Sequence, residues 1–248
     1  MLNPGVKRRE VFGWAMYDFA NSGYTTVVIT AVFAAYFVGA VAEQAEWATL
    51  AWTSALSVSY AIVMLTMPAL GEWADRHAAK KKMLMAFTAA CVVSTAALAW
   101  VGPGQVALAV VCIVISNTFF SYGESLTAAF LPELATSKAM GRVSAWGWAW
   151  GYLGGMLTLG ICLGYVLWAQ DQGQTAGQFV PVTMLVTALI YALAACVTFA
   201  LLKEHAKPQP ERERSKSQWQ QLRQTFHEAK AYKDFIQLMA CAVAYQGG

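Results

Sequence analysis

Residues 13–37 read GWAMYDFANSGYTTVVITAVFAAYF, a run without lysine, arginine or histidine in which Asp18 is the only charged side chain. About 20 predominantly apolar residues suffice to cross roughly 30 Å of hydrocarbon, so the stretch reads as a membrane-spanning helix. Outward from it the pattern repeats. Uninterrupted apolar blocks predict spans at residues 11–41, 47–70, 83–102, 105–131, 141–169 and 178–202. The composition of the whole chain agrees: of 248 residues, 58% are hydrophobic and 12% charged, against about 25% charged in soluble domains. The expected fold is an all-α polytopic membrane protein, and a soluble globular domain is excluded.

The charges lie between the blocks. With the N-terminus inside, all 17 lysines and arginines fall on one side: Lys7, Arg8 and Arg9 before the first span, Arg76 and Lys80 to Lys82 after the second, Lys138 and Arg142 after the fourth, and the rest after the sixth. The opposite loops carry Glu43, Glu46 and Asp171 but no lysine or arginine. Basic residues favour the cytoplasmic side, so the N-terminus is expected there, in the inner membrane if the cell is bacterial. The net charge of +3 thus belongs to membrane topology, and the expected partner is the lipid bilayer, with no nucleic acid. The Lys7–Arg9 run ahead of an apolar stretch has the outline of an export signal, but its length and the polar Asp18 and Asn21 in its middle argue against cleavage. Five cysteines fall inside the blocks without a CxxC spacing. They read as packing residues, and neither metal nor cofactor is expected.

Three segments follow from this pattern: residues 1–202 as a six-helix transmembrane domain, 203–234 as a cytoplasmic linker, and 235–248 as the truncated start of a seventh helix. KEHAKPQPERERSKSQ (203–218) is charged, proline-containing and aperiodic. Beyond it Trp219, Leu222 and Phe226 recur at helical spacing, which fits either an amphipathic helix on the membrane surface or a solvated linker helix. From Phe235 only 14 residues remain, about 21 Å of helix and too short to span.

Two acids, Asp18 and Glu124, sit well inside the spans with no base beside them. Charge at membrane depth costs several kcal/mol, so such groups face a watery cavity, find a partner or stay protonated. Asp18, Asn21, Ser22, Thr25 and Thr26 share one helical face, next to Tyr17; Asn117, Ser121, Glu124 and Ser125 share another, next to Tyr122. The two faces are expected to line a substrate or proton pathway through Tyr17, Asp18, Asn21, Thr25, Asn117, Tyr122 and Glu124. The alternative is that they only join helix to helix. Gly147, Gly151 and Gly155, with Gly154 adjacent and Gly160 and Gly164 further on, place small residues at steps of four on the fifth span. That spacing lets two helices pack closely, and Trp146, Trp148 and Trp150 on the same helix include candidates for a cavity wall. Enzymatic chemistry is not expected. His77, His205 and His227 all lie outside the spans and only one aspartate lies within them, which removes intramembrane Ser-His and paired-aspartate catalysis.

After the second span the chain reads GEWADRHAAKKK (Gly71 to Lys82). It resembles the signature loop of the major facilitator superfamily, G-x-x-x-D-R-x-G-R-R/K, with Gly71, Asp75, Arg76, Lys80 and Lys81 in place. Ala78 stands where the second glycine is usual, which puts the tightness of the turn in doubt. The resemblance implies a conformational gate between two halves of a transporter. GWAMYDFANSGYTTVVITAVFAAYF and LPELATSKAMGRVSAWGWAWGYLGG (Leu131 to Gly155) are similar to the vacuole-effluxer-like, autophagy-related branch of that superfamily, over about a fifth of the chain. This implies the six-helix N-terminal half of a major facilitator fold, plus the start of the seventh helix. It also implies a secondary transporter that moves a small polar solute by alternating access, and in eukaryotic relatives amino-acid efflux. Protons are a coupling-ion candidate. Such transporters bind their solute between two repeats, so the missing C-terminal half is an expected partner and the chain reads as a fragment. A non-transporting membrane scaffold or receptor is the other reading, favoured if no cavity separates the polar stripes.

Overall fold

The computed structural model describes residues 2–206 together with 236, 237, 240 and 241. The chain divides into two compact units, residues 1–208 and 209–248. In the second, the four described residues are helical. The linker past residue 206, the expected surface helix around Trp219, Leu222 and Phe226, and most of the expected seventh-helix start at 235–248 lie outside the described residues.

The first unit is built from six long helices: α1 (Arg8–Val41), α2 (Ala48–His77), α3 (Lys80–Trp100), α4 (Val106–Ala128), α5 (Met140–Asp171) and α6 (Ala176–Leu201). A one-turn helix at Leu131–Leu134 prolongs α4. Each of the six is long and apolar enough to cross a membrane. Among the described residues there is no strand, only an isolated bridge between Leu2 and Ala135.

The helix ends depart from the apolar blocks. The second helix continues to His77, so Gly71, Asp75 and Arg76 lie on its last turns and the connecting loop shrinks to Ala78 and Ala79. The physical cause is local. Past the hydrocarbon, Arg76 and Glu72 form an i,i+4 ion pair (2.6 Å) that supports another helical turn. Ala78 then adopts a left-handed conformation (φ 47°, ψ 52°). The Ala79 amide donates to Ala74 O (2.9 Å) and the Ala78 amide to Asp75 O (3.4 Å), the pattern of a Schellman cap. The turn is therefore tight without the glycine that the signature loop usually places there.

Helix α1 is not regular. Residues Thr25–Ala31 and Phe37–Val41 wind as π-helix. The run TTVVIT (25–30) is wholly β-branched, which crowds an α-helix. Its threonine hydroxyls also bond back to the main chain, Thr26 to Ser22 O (2.8 Å) and Thr30 to Thr25 O (3.0 Å), and such bonds loosen and bend helices.

In the bundle α1 packs on α5 and α6, α4 on α2 and α3, and α3 on α6. Water gives no hydrophobic drive between helices in lipid, so close packing and hydrogen bonds must hold them. Trp14 Nε1 donates to Thr127 O (2.8 Å), Tyr17 and Thr88 share a hydroxyl bond (2.9 Å), Tyr24 and Ser116 another (2.8 Å), and Tyr191 OH donates to Asn21 Oδ1 (2.7 Å). Bonds of this kind contribute on average about 0.6 kcal/mol each. Large apolar side chains such as Leu65, Leu189 and Leu193 point outward, as expected where the surroundings are lipid.

Candidate functional site

Between α1, α4 and α5 lies a cavity of about 390 Å³. Asp18, Asn21, Ser22, Thr25 and Thr26 come from α1, Phe120 and Glu124 from α4, and Trp148, Tyr152, Met156 and Leu159 from α5, with Gly151 and Gly155 closing the wall. The volume is at the low end of the range typical of small-molecule sites. The polar stripe of α1 faces this space because helical periodicity puts offsets 0, 3, 4, 7 and 8 on one side. The π-helical stretch begins at Thr25, directly on the cavity wall, and such irregularities recur at functional sites.

Glycines set the shape of the wall. A side-chain carbon on Gly147 would strike the Asp18 carboxylate and the Trp14 ring, and one on Gly151 would come within 2.8 Å of Ser22 Oγ. One on Gly155 would meet Ser22 Cβ and Thr26 Cγ2 at 3.4 Å, and one on Gly154 would strike the backbone of Phe19. Helix α5 therefore rests directly on α1 along Gly147, Gly151, Gly154 and Gly155. Gly160 and Gly164 have open space around them, so the seam ends before the last two glycines of the stripe.

The carboxylates of Asp18 and Glu124 are near enough to interact electrostatically. Neither has an ion-pair or hydrogen-bond partner among the described residues. Asn21 is 7% exposed, lines the cavity, and accepts a hydrogen bond from Tyr191 at its side-chain oxygen. What this arrangement offers chemically is negative charge, hydroxyls, one amide and an aromatic and thioether rim. Among the described residues no group of three or more His, Cys, Asp and Glu is placed to hold a metal ion.

The remaining pathway candidates stand elsewhere. Tyr17 is fully buried between Thr88 and Tyr191. Asn117 is fully buried and donates to Ser59 Oγ (2.6 Å), leaving its Oδ1 without a partner. Tyr122 bonds Thr66 and packs on Phe87 and Phe119. These three join helix to helix and do not line the cavity. Conversely Phe120, Tyr152, Met156 and Leu159 line it without having been singled out in the sequence. Tyr152 and Met156 fall at four-residue steps from Trp148, the signal that places them on its face. Of the cysteines, Cys91, Cys112 and Cys162 are buried, whereas Cys196 and Cys241 are exposed.

At the basic end of the bundle, Lys80 Nζ lies 2.9 Å from both Asp75 and Glu133. The Glu204 carboxylate accepts the Lys80 and Lys81 amides (2.8 and 3.2 Å) at the N-terminus of α3, where the helix dipole favours an anion. Lys81 Nζ donates to Leu202 O (2.7 Å), and His205 pairs with the buried Glu10 (2.6 Å). The signature residues thus tie the end of α2 to the α4–α5 junction and to the segment leaving α6.

No solved structure matches the chain. An uncharacterized MFS-type transporter, YxiO, of Bacillus subtilis (strain 168) is 36% identical over 137 residues, which are 54% of this chain and 32% of that protein. The chain thus spans about a third of the length of the curated relative it matches. The family described as vacuole effluxer Atg22 like matches residues 48–243. That match runs from the start of α2 past the end of α6, and the chain accordingly belongs to the vacuole effluxer Atg22-like family, of the major facilitator type.

Proposed function

We propose that this chain is one six-helix half of a secondary active transporter, which moves a small polar solute across a membrane by alternating access. The observation that carries the reading is the α1–α4–α5 cavity, with Asp18, Asn21 and Glu124 on its wall at membrane depth. A bundle whose polar residues served only to join helices would bury all of them in one another, as Tyr17, Asn117 and Tyr122 are. In the whole transporter a second repeat would close the cavity from the opposite side and the two halves would rock about it. Asp18 and Glu124 bind the solute's donor group or carry a coupling proton, Asn21 and Thr25 orient it, and Gly71, Asp75, Arg76, Lys80 and Lys81 gate the basic end. Segments 1–202, 203–234 and 235–248 serve as bundle, linker and start of the next helix. The one-sided distribution of lysine and arginine supports a cytoplasmic N-terminus. Amino acids, which the resemblance to eukaryotic members of the family implies, are one solute class to test, beside amines that carry no carboxylate.

The test is uptake of labelled solutes into proteoliposomes that hold the whole transporter, with and without an imposed pH gradient. Asp18→Asn and Glu124→Gln should each lower uptake by about tenfold or more, as expected when a charge contact to the solute is lost. Uptake at the unsubstituted rate in both variants would overturn the assignment of the cavity as the transport site.

A further inference from the structure

The cavity's chemistry goes further than "small polar solute". Its two carboxylates have no cation beside them, and no lysine, arginine or histidine is on its wall. Beside them the wall carries the hydroxyl-bearing Ser22, Thr25 and Thr26 and a rim of Phe120, Trp148, Tyr152, Met156 and Leu159, with the Trp148 and Tyr152 rings 6.1 Å apart. Independently, the nine-tenths-buried Asn21 lines the same space with its carbonyl oxygen held by Tyr191.

Uncompensated negative charge at membrane depth is stabilised by a cation that enters and leaves with the solute. An inorganic divalent ion is a poor fit: it requires six or more oxygens, and the wall is mostly carbon. Ammonium groups lying over aromatic faces are attracted by the ring quadrupole, most strongly by tryptophan. A zwitterion brings its own carboxylate into a space that already holds two and meets only neutral groups there, the Asn21 side chain and the hydroxyls of Ser22, Thr25 and Thr26, of which the two threonines already donate to the main chain. We propose that the α1–α4–α5 cavity takes an organic cation, a protonated amine with an apolar or aromatic body and no anionic group. Asp18 and Glu124 are the counter-charges, Trp148 and Tyr152 the cation-stacking faces, and the Asn21 amide the donor to a hydroxyl or ether oxygen on the ligand. This rests on the reading of the cavity as a solute site.

The experiment measures equilibrium binding of three radiolabelled probes of matched shape to the whole transporter, purified in detergent: phenethylamine as the cation, 2-phenylethanol as its neutral counterpart, and phenylalanine as the zwitterion. Phenethylamine should bind at least about tenfold more tightly than either of the others. Glu124→Gln and Asp18→Asn should each remove that preference, while Asp18→Glu, which keeps the charge, should retain it. Equal binding of cation and neutral probe, or tighter binding of phenylalanine, overturns the cation assignment and leaves the solute site standing. Absence of binding by all three overturns both. The probe series on the unsubstituted transporter decides the matter even if a variant does not fold.

Discussion

Replacing Gly154 by alanine tests the packing on which the cavity depends. The added carbon would fall against the carbonyl oxygen of Phe19, within 2.7 Å of both its Cα and its ring. Ordinary contact begins well beyond that distance, and the obstacle is main chain, which has no rotamer to escape into. Helices α1 and α5 must therefore separate by several tenths of an ångström along a seam that also includes Gly147, Gly151 and Gly155. Overpacking of a close interface costs typically 1–3 kcal/mol, and a backbone obstacle puts this substitution near the top, about 2–3 kcal/mol. For a chain of this size that corresponds to a fall in melting temperature of roughly 5–10 °C. Gly160→Ala is the internal control. It lies on the same helix with nothing within 4 Å, and alanine there should stabilise by up to about 1 kcal/mol through helix propensity. Both variants are compared by thermal unfolding in one detergent. A Gly154→Ala protein that melts with, or above, Gly160→Ala would refute the close α1–α5 approach.

Ala78→Gly should raise stability by about 1 kcal/mol, because alanine in the left-handed region is strained and glycine is not; an unchanged melting temperature would mean that the turn is not left-handed. His205→Ala leaves the buried Glu10 carboxylate with only the Lys7 amide (3.1 Å) as partner. The loss should be about 1–3 kcal/mol, and in the Glu10→Gln background it should shrink, which a double-mutant cycle reads directly. If Glu124 carries the coupling proton, Glu124→Gln should flatten the pH dependence of uptake, and a pH profile identical to that of the unsubstituted protein would remove it from that role.

The architecture was legible because lipid imposes length and apolarity on every spanning helix, and those are properties of composition. Helix ends were less so, since they are set outside the hydrocarbon by such features as the Glu72–Arg76 pair and the Ala78 cap. The π-helical stretch of α1 left a trace in the six consecutive β-branched residues at 25–30, although periodicity alone read straight through it. For the cavity, the polar stripes led to Asp18, Asn21, Thr25 and Glu124 but equally to Tyr17, Asn117 and Tyr122. Residue type does not separate a polar group that faces a cavity from one that meets a neighbouring helix; only the arrangement of helices does. On α5 the sequence offered Trp148 together with Trp146 and Trp150 but not Tyr152 or Met156, because a spanning helix is apolar all round and offers no contrast from which to pick the inner face.

Water access to the cavity tests the central claim most directly. Ser22→Cys and Gly155→Cys, made after the native cysteines are replaced, would be exposed in membranes to a membrane-impermeant charged thiol reagent, beside Leu193→Cys on the outward face and Asn117→Cys in the buried α2–α4 contact. A solute cavity predicts rapid labelling at 22 and 155, slowed by a bound solute, with little labelling at 193 and 117. Labelling at 22 and 155 as slow as at 193 would show that no aqueous path reaches Asp18 and Glu124, and would leave the polar stripes as helix contacts only.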